Sequence, residues 1–536
     1  MATRRQPLIP GWLLPGSFTA LLLCAVALLA FGALLMSAPI GDWRGLLTDD
    51  YLHHVLAFSF WQALLSALFS VIPAIPLARA LYRRRFPGRN LLLRLCAMTL
   101  VLPVLVAIFG LLSVYGRSGW LAQLCSLVGI DYHFSPYGLQ GILLAHVFFN
   151  LPLATRMLLQ SLESIPGEQR QLAAQLGLRS WNLFRLLEWP WLRRQILPTA
   201  ALIFMLCFAS FATVLALGGG PQATTLELAI FQALSFDYDP GRAALLALLQ
   251  LGCCLLLVLL SQRFSQAIPS GSQQIRGWRD PQDSWRARLS DGLLIGLALL
   301  LLLPPLLAVV TDGLRGGVAG AIQQPALWQA TFTSLRIAIG AGVLCVILTL
   351  MLLWSSRELR LRHHTIPAQA MELSGMLILA MPGIVLASGF FLLFNATVGL
   401  PQSADGLVIF TNALIAIPYA MKVLENPMRD LSARYNQLCA SLGMQGLNRL
   451  RLLELRALKR PIAQALAFAC VLSIGDFGVV ALFGSADFRT LPFYLFQQIG
   501  AYRGEDGAVT ALLLLLLCLL LFTLMEKLPG RHADTE

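Results

Sequence analysis

Apolar runs of about twenty residues follow one another along almost the whole chain, and a chain built this way has few folds open to it. A run of that length matches the hydrocarbon thickness of a bilayer at 1.5 Å of rise per helical residue. In lipid each backbone N–H and C=O must find its partner inside the segment, so the runs are expected to be helices. They fall at roughly 13–36, 55–78, 96–115, 139–159, 196–218 and 243–261, and again at 291–312, 333–354, 370–394, 407–425, 462–484 and 507–526. Charged residues make up only 12% of the chain, against about 25% in a soluble domain. The expectation is therefore an all-α polytopic membrane protein with about 12 transmembrane helices. Arg4 and Arg5 precede the first run as they would in a signal peptide, but the run is too long for that and reads as the first span.

A single long polar stretch, Gln262 to Asp291, interrupts the series and leaves six runs on either side. Its Ser, Gln, Pro and Arg content is that of a tether. This gives a first half at 1–265, a linker at 266–290 and a second half at 291–536. An even number of spans in each half makes the two halves parallel, related by an axis along the membrane normal. The net charge of +12 is distributed by loop. Loops after even-numbered spans carry clusters: Arg83, Arg84, Arg85 and Arg89, then Arg357, Arg360 and Arg362, then Arg429, Arg434, Arg449 and Arg451. Loops after odd-numbered spans carry only Arg44, Arg117, Arg242, Arg315, Arg489 and Arg503. The excess marks the cytoplasmic side and puts both termini there. The positive charge thus speaks of orientation, not of nucleic acid.

The polar stretch Gln171 to Ile196, QLAAQLGLRSWNLFRLLEWPWLRRQI, returns 266 residues later as Gln437 to Ile462, QLCASLGMQGLNRLRLLELRALKRPI. The copies align without a gap and share 13 of 26 positions, among them Gly177/Gly443, Asn182/Asn448, Arg185/Arg451 and Glu188/Glu454. The same offset pairs Pro152 with Pro418 and Phe211 with Phe477. Each copy is expected to open with a short helix. Leu172, Ala173 and Leu176 share a face in one, Leu438, Cys439 and Leu442 in the other. Gly177 and Gly443 follow, where a helix can stop because glycine alone enters the left-handed region cheaply. A short half-apolar helix held out of the membrane fits a groove on another protein. Its duplication implies a duplicated partner.

The pattern of Gln171, Ala173, Ala174, Leu176 and Gly177, followed by Ile196-Leu197-Pro198, resembles the EAA loop of binding-protein-dependent ABC importer permeases. The EAA-like stretches are 165–198 and 431–464, the second with Gln437, Ala440, Leu442 and Gly443. Gln171 and Gln437 stand where the family's leading Glu usually is, and the second copy lacks the terminal Pro. Over nearly its whole length the chain resembles the thiamine branch of these permeases in enteric bacteria, through IPGEQRQLAAQLG (165–177), FMLCFASFATVLALGGGPQATT (204–225) and LKRPIAQALAFACVLSIGDFGVVALFG (458–484). The resemblance implies a type I ABC importer permease fold in the bacterial inner membrane. It also implies two copies of a cytoplasmic ABC ATPase docked on the repeated loops, a periplasmic thiamine-binding protein, and thiamine with its phosphates as cargo. Glu188 and Glu454 are carried with the loops as coupling residues.

A pathway through the halves is expected where Ser210-Phe211 of the fifth span corresponds to Asp476-Phe477 of the eleventh. A carboxylate at a helix centre costs about 2.5–3.5 kcal/mol and faces a cavity or a partner. A carboxylate with flanking aromatics suits a cationic thiazolium, and pairing of Asp476 with a helix end is the competing role. His146 and Arg336, also within spans, are expected to bond between helices. The chain has only Lys422, Lys459 and Lys527, none placed as a P-loop requires, so ATP hydrolysis belongs to another subunit. No cofactor or metal motif and no catalytic constellation is present, and the ten cysteines show no CxxC or zinc spacing. An ion-coupled secondary transporter would need more carboxylates in its spans. A fused ferric-iron permease with two such loops is separated from the thiamine reading by whole-chain resemblance alone.

Overall fold

The computed structural model describes residues 11–38, 48–99, 101–178, 180–264, 285–378, 381–397, 404–444, 446–484, 488–501 and 503–527. Most of the expected linker and Arg44 lie outside these. Among the described residues every regular element is helical. The first half runs α1 (Leu14–Ser37), α2 (Asp50–Arg83), α3 (Val104–Tyr115), α4 (Leu139–Glu163), α5 (Gly167–Gln175), α6 (Trp189–Phe208), α7 (Phe211–Leu217), α8 (Leu226–Ser235) and α9 (Pro240–Phe264). The second runs α10 (Trp285–Arg315), α11 (Pro325–Leu361), α12 (Thr365–Leu377), α13 (Gly383–Thr397), α14 (Ala404–Ser441), α15 (Lys459–Gly475), α16 (Gly478–Phe483), α17 (Leu491–Gly500) and α18 (Gly504–Lys527). The helices Arg89–Met98 and Trp120–Leu127 and the shorter turns carry no number.

Among the described residues ten stretches are long and apolar enough to cross a membrane, and an eleventh is a pair bent by 65° where Leu450–Ala457 meets α15. The expected ninth span is not one helix. It is divided between α12 and α13, with Pro382 just ahead of α13. A proline disfavours helical geometry in the residue before it, which separates the two pieces. Pro103 likewise precedes α3 in extended geometry, whereas Pro73 and Pro76 in α2, Pro152 in α4 and Pro304 and Pro305 in α10 stay inside helices.

The packing divides the chain differently from the duplication. One compact unit is Met1–Trp43, Ala229–Gly252 and Gly317–Glu536; the other is Arg44–Leu228 and Cys253–Gly316. In the first unit α1 packs on α11, α12 and α13. Its inner face is narrow, with Gly16, Thr19, Ala27 and Ala30 buried, and Leu21 and Leu28 are turned outward. Small residues let membrane helices approach closely where lipid offers no hydrophobic drive. The Gly16 N–H donates to Ser355 Oγ at 2.9 Å. In the second unit α10 packs on α2 and α3. A Cβ at Gly110 would collide with the Pro305 carbonyl, so the close approach of α3 and α10 requires glycine there. Asp291 near the start of α10 is buried and accepts from Arg83 Nη2 at 2.8 Å and Arg84 Nε at 2.7 Å. The first span of each sequence half therefore belongs to the core of the other.

One seating device is repeated. The N–H of Leu226, at the start of α8, donates to Ser59 Oγ on α2 at 3.0 Å, and the N–H of Leu491, at the start of α17, donates to Ser334 Oγ on α11 at 2.7 Å. Each serine fills one of the donors that a helix N-terminus leaves unpaired.

Candidate functional site

The two repeated loops are built from the same parts. In the first, Pro166 ends the run of α4 and sets the start of α5, where its missing N–H costs nothing. The helix closes at Gly177, whose φ is +65°. Gly177 N–H donates to Ala174 O at 3.1 Å and Leu178 N–H to Ala173 O at 3.0 Å, which pairs carbonyls the helix end would leave open. In the second, Gly443 has φ +64° and Met444 N–H donates to Cys439 O at 2.8 Å. The glycine stop is thus present in both copies.

The expected short helix is separate only in the first copy. In the second, α14 runs unbroken for 38 residues to Ser441. Where the first copy has Pro166-Gly167 the second has Ser432-Ala433, two residues that let a helix continue.

Ahead of each glycine a pair of leucines one turn apart faces outward: Leu172 and Leu176 at 56% and 68% exposure, Leu438 and Leu442 at 52% and 64%. Gln171, Gln175 and Gln437 are exposed beside them, while Ala173 and Cys439 turn inward. The face expected from Leu172, Ala173 and Leu176 is therefore split. Ala174 is half-buried, and the side chain of Ala440 lies outside the described residues. Each loop presents an apolar, uncharged knob with no covering group among the described residues of its own unit.

Beneath the knobs the loops are anchored by arginines. Arg170 is buried, donates to the Leu162 carbonyl and stacks over Tyr82 at 4.2 Å. Burial pushes its pKa down to about 10, against the pull of Glu188. Each loop then returns through a π-helical turn, Phe184–Glu188 and Leu450–Glu454, closed by i→i+5 bonds from Trp189 N–H to Phe184 O and from Leu455 N–H to Leu450 O. Both turns end on the repeated glutamate. Glu188 is 3% exposed and Glu454 0%. Arg79 Nε of α2 lies 2.5 Å from Glu188 Oε2, and Arg357 Nη1 of α11 lies 2.6 Å from Glu454 Oε1. The second copy adds Arg449 Nε, 2.9 Å from the same Glu454 oxygen. Its Arg449 Nη1 reaches Asn436 Oδ1 at 3.1 Å. The repeated glutamates thus face inward, and any part they play in coupling is transmitted through arginines.

The sequence pattern did not single out Arg79 or Arg170. Arg79 and Arg357 are 278 residues apart, not 266, so the gap-free repeat hides their equivalence.

The expected pathway residues lie at helix breaks. Ser210, with φ −109° and ψ 67°, separates α6 from α7, and Asp476, with φ −69° and ψ 130°, separates α15 from α16. Each break is backed by a polar side chain at repeat-related positions. His146 Nε2 lies 2.9 Å from Ser210 Oγ, and its Nδ1 lies 2.8 Å from Ser66 Oγ. Asn412 Nδ2 donates to Ser473 Oγ at 3.0 Å and reaches Asp476. Asp476 stands just ahead of α16 with its Oδ2 buried and no hydrogen-bond partner for that atom among the described residues. Phe211 and Phe477 are buried, the latter against Phe493 and Phe496 with centroids at 6.4 and 5.0 Å. Arg336 pairs with Asp405 at the start of α14.

A helical membrane chain with duplicated outward knobs, each joined to a broken helix, has the parts of a transporter's membrane component. The chain belongs to the family of binding-protein-dependent transport system inner membrane components, which it matches over residues 67–269 and 359–531. It is a multi-pass permease subunit. It is 73% identical over 536 residues to the thiamine transport system permease protein ThiP of Escherichia coli (strain K12), covering 100% of both chains. The ThiP of Salmonella typhimurium shows the same identity and coverage. That of Haemophilus influenzae is 44% identical over 494 residues, 92% of this chain and 91% of its own.

Proposed function

We propose that the chain is the membrane permease of an ATP-driven importer that carries thiamine and its phosphates across the bacterial inner membrane. The observation that carries the substrate is the 73% identity to the enteric thiamine permeases over the full length of both chains. A periplasmic thiamine-binding protein delivers the cargo, and two copies of a cytoplasmic ATPase hydrolyse ATP. Both termini are cytoplasmic, as the arginine-rich even loops require. The halves at 1–265 and 291–536 stand in for the two permease chains of an unfused importer, with 266–290 as their tether.

In this reading the exposed leucine pairs beside Gly177 and Gly443 seat in grooves on the two ATPase subunits. Closure of the ATPase pair on ATP moves both knobs. Each loop passes the motion through its π-helical turn to the broken helix that follows, which switches the pathway between its two openings. Ser210, Phe211, Asp476 and Phe477 mark the breaks where that pathway runs, and Asp476 supplies the negative charge for a cationic cargo.

The test is uptake of labelled thiamine at nanomolar concentration in cells lacking the gene. The natural chain restores uptake. A chain with Gly177→Asp and Gly443→Asp inserts but does not, because the left-handed backbone and the flat approach to the ATPase are both lost. If the natural chain fails beside its ATPase and binding protein, the substrate assignment falls and ferric iron is tested next. If the altered chain imports fully, docking at the loops is wrong.

A further inference from the structure

We propose that Arg79 with Glu188, and Arg357 with Glu454, are positioning residues that carry the motion of each loop into the core helix of its unit. The inference rests on the reading of the loops as ATPase docking sites and adds the route by which they act.

Three observations place these pairs together. First, each glutamate is the last residue of a π-helical turn. Such turns are rare in helices and frequently lie at functional sites. Second, each arginine sits at the same place on its helix: Arg79 is four residues before Arg83, the last of α2, and Arg357 is four before Leu361, the last of α11. Third, both glutamates are buried and both contacts are short, 2.5 and 2.6 Å. The copies are identical from Arg185 to Glu188 and from Arg451 to Glu454 and diverge directly after the glutamate. The flanking residues Trp189, Pro190 and Trp191 became Leu455, Arg456 and Ala457, yet the same ion pair closes both loops.

A buried ion pair is a poor way to add stability, because desolvation offsets its attraction. What it supplies is a fixed distance. A guanidinium and a carboxylate at hydrogen-bond range resist both separation and sliding, whereas leucine packing allows either. A π-helical turn held only by apolar contacts would absorb displacement by reverting to α-helix. Tied at its last residue to α2 or α11, it cannot shift without taking that helix with it. The outer parts of the same helices carry Ser59 and Ser334, which seat α8 and α17. Displacement of the loop is thereby delivered to the far side of each unit.

The experiment uses the assembled permease and ATPase complex in lipid nanodiscs. Hydrogen–deuterium exchange is compared with and without nucleotide trapped by vanadate. In the natural chain trapping changes exchange in the loop (165–188) and along α2. With Glu188→Gln the loop still responds, but the response of α2 falls at least five-fold; Glu454→Gln does the same to α11. The paired exchange Arg79→Glu with Glu188→Arg returns at least half of the α2 response. Should the exchanged pair not assemble, Arg79→Lys with Glu188→Asp, which keeps a charged pair, replaces it with the same expectation. An α2 response of natural size in Glu188→Gln overturns the proposal. So does a loss that neither paired variant recovers, since that is the mark of a merely structural contact. The readout needs no cargo, so failure of thiamine uptake by the natural chain sinks the substrate reading and leaves this result standing.

Discussion

The two loops do one job with different mechanics. In the first, Pro166 parts α4 from α5, so the knob at Leu172 and Leu176 is carried on a separate nine-residue helix. It is held from below by Arg170 on Tyr82 and by Arg79, which pairs with Glu188 and lies over Phe184. In the second, the knob at Leu438 and Leu442 is the tip of a 38-residue helix, and its return holds Arg357, Arg449 and Glu358 around Glu454. One loop is hinged and lightly tied; the other is a rod with a charge network at its base. Duplication preserved the docking tip and the glutamate while the supports diverged. What must be matched on both sides is the surface offered outward and the tie inward; how stiffly each tip is carried is free to differ.

The largest effect expected from this contrast is at Glu454. Glu454→Gln removes the fully buried carboxylate between Arg357 and Arg449 and leaves them, among the described residues, only the carboxylate of Glu358, and removal of one side of a buried pair costs about 3–5 kcal/mol. Glu188→Gln removes the charge opposite Arg79, whose side chain is 17% exposed and also lies over Phe184, with an expected cost of about 2 kcal/mol. Thermal unfolding of the two purified variants should rank them in that order, and equal losses would break the asymmetry.

Second in size is Ser432→Pro, which installs the first loop's hinge in the second. A proline in an unbroken helix costs about 3 kcal/mol or more. Unfolding at a lower temperature and a marked loss of uptake are expected, while Pro166→Ser should leave both nearly unchanged. If Ser432→Pro were tolerated, the rod would not matter. A smaller effect is expected from Arg170→Ala. It removes a guanidinium stacked on Tyr82 and bonded to the Leu162 carbonyl, for about 1–2 kcal/mol. Arg449→Leu, which restores the residue of the first copy, should cost less still, and a thermal scan separates the two.

Much of this was legible in the sequence for a plain reason. Lipid demands long apolar runs, so the spans announce themselves. A glycine required at positive φ shows as the same letter in both copies, as Gly177 and Gly443 do. The ninth span was misplaced because hydropathy reads through Pro382, which backbone geometry does not. The second coupling helix was read as separate because the repeat hides that Ser432, unlike Pro166, lets a helix continue. The inward turn of Glu188 and Glu454 could not be read at all. Their partners lie on other helices, and in the first copy the pair spans 109 positions. The packing of α1 and α10 was equally invisible, since periodicity tells that a helix has a buried face but not against what.

That last packing has a consequence for how the protein is made. The contact between Gly16 and Ser355 joins residues 339 positions apart. At roughly 5–20 residues per second on the ribosome, α1 waits tens of seconds in the bilayer before its neighbours exist. Over a shorter interval the face of α3 around Gly110 stands open until α10 emerges. A chain stopped at the linker would contain six complete spans and still not be half a permease. It would hold a core lacking its outer helix and an outer helix lacking its core, and the quality-control proteases of the membrane would meet it as an orphan.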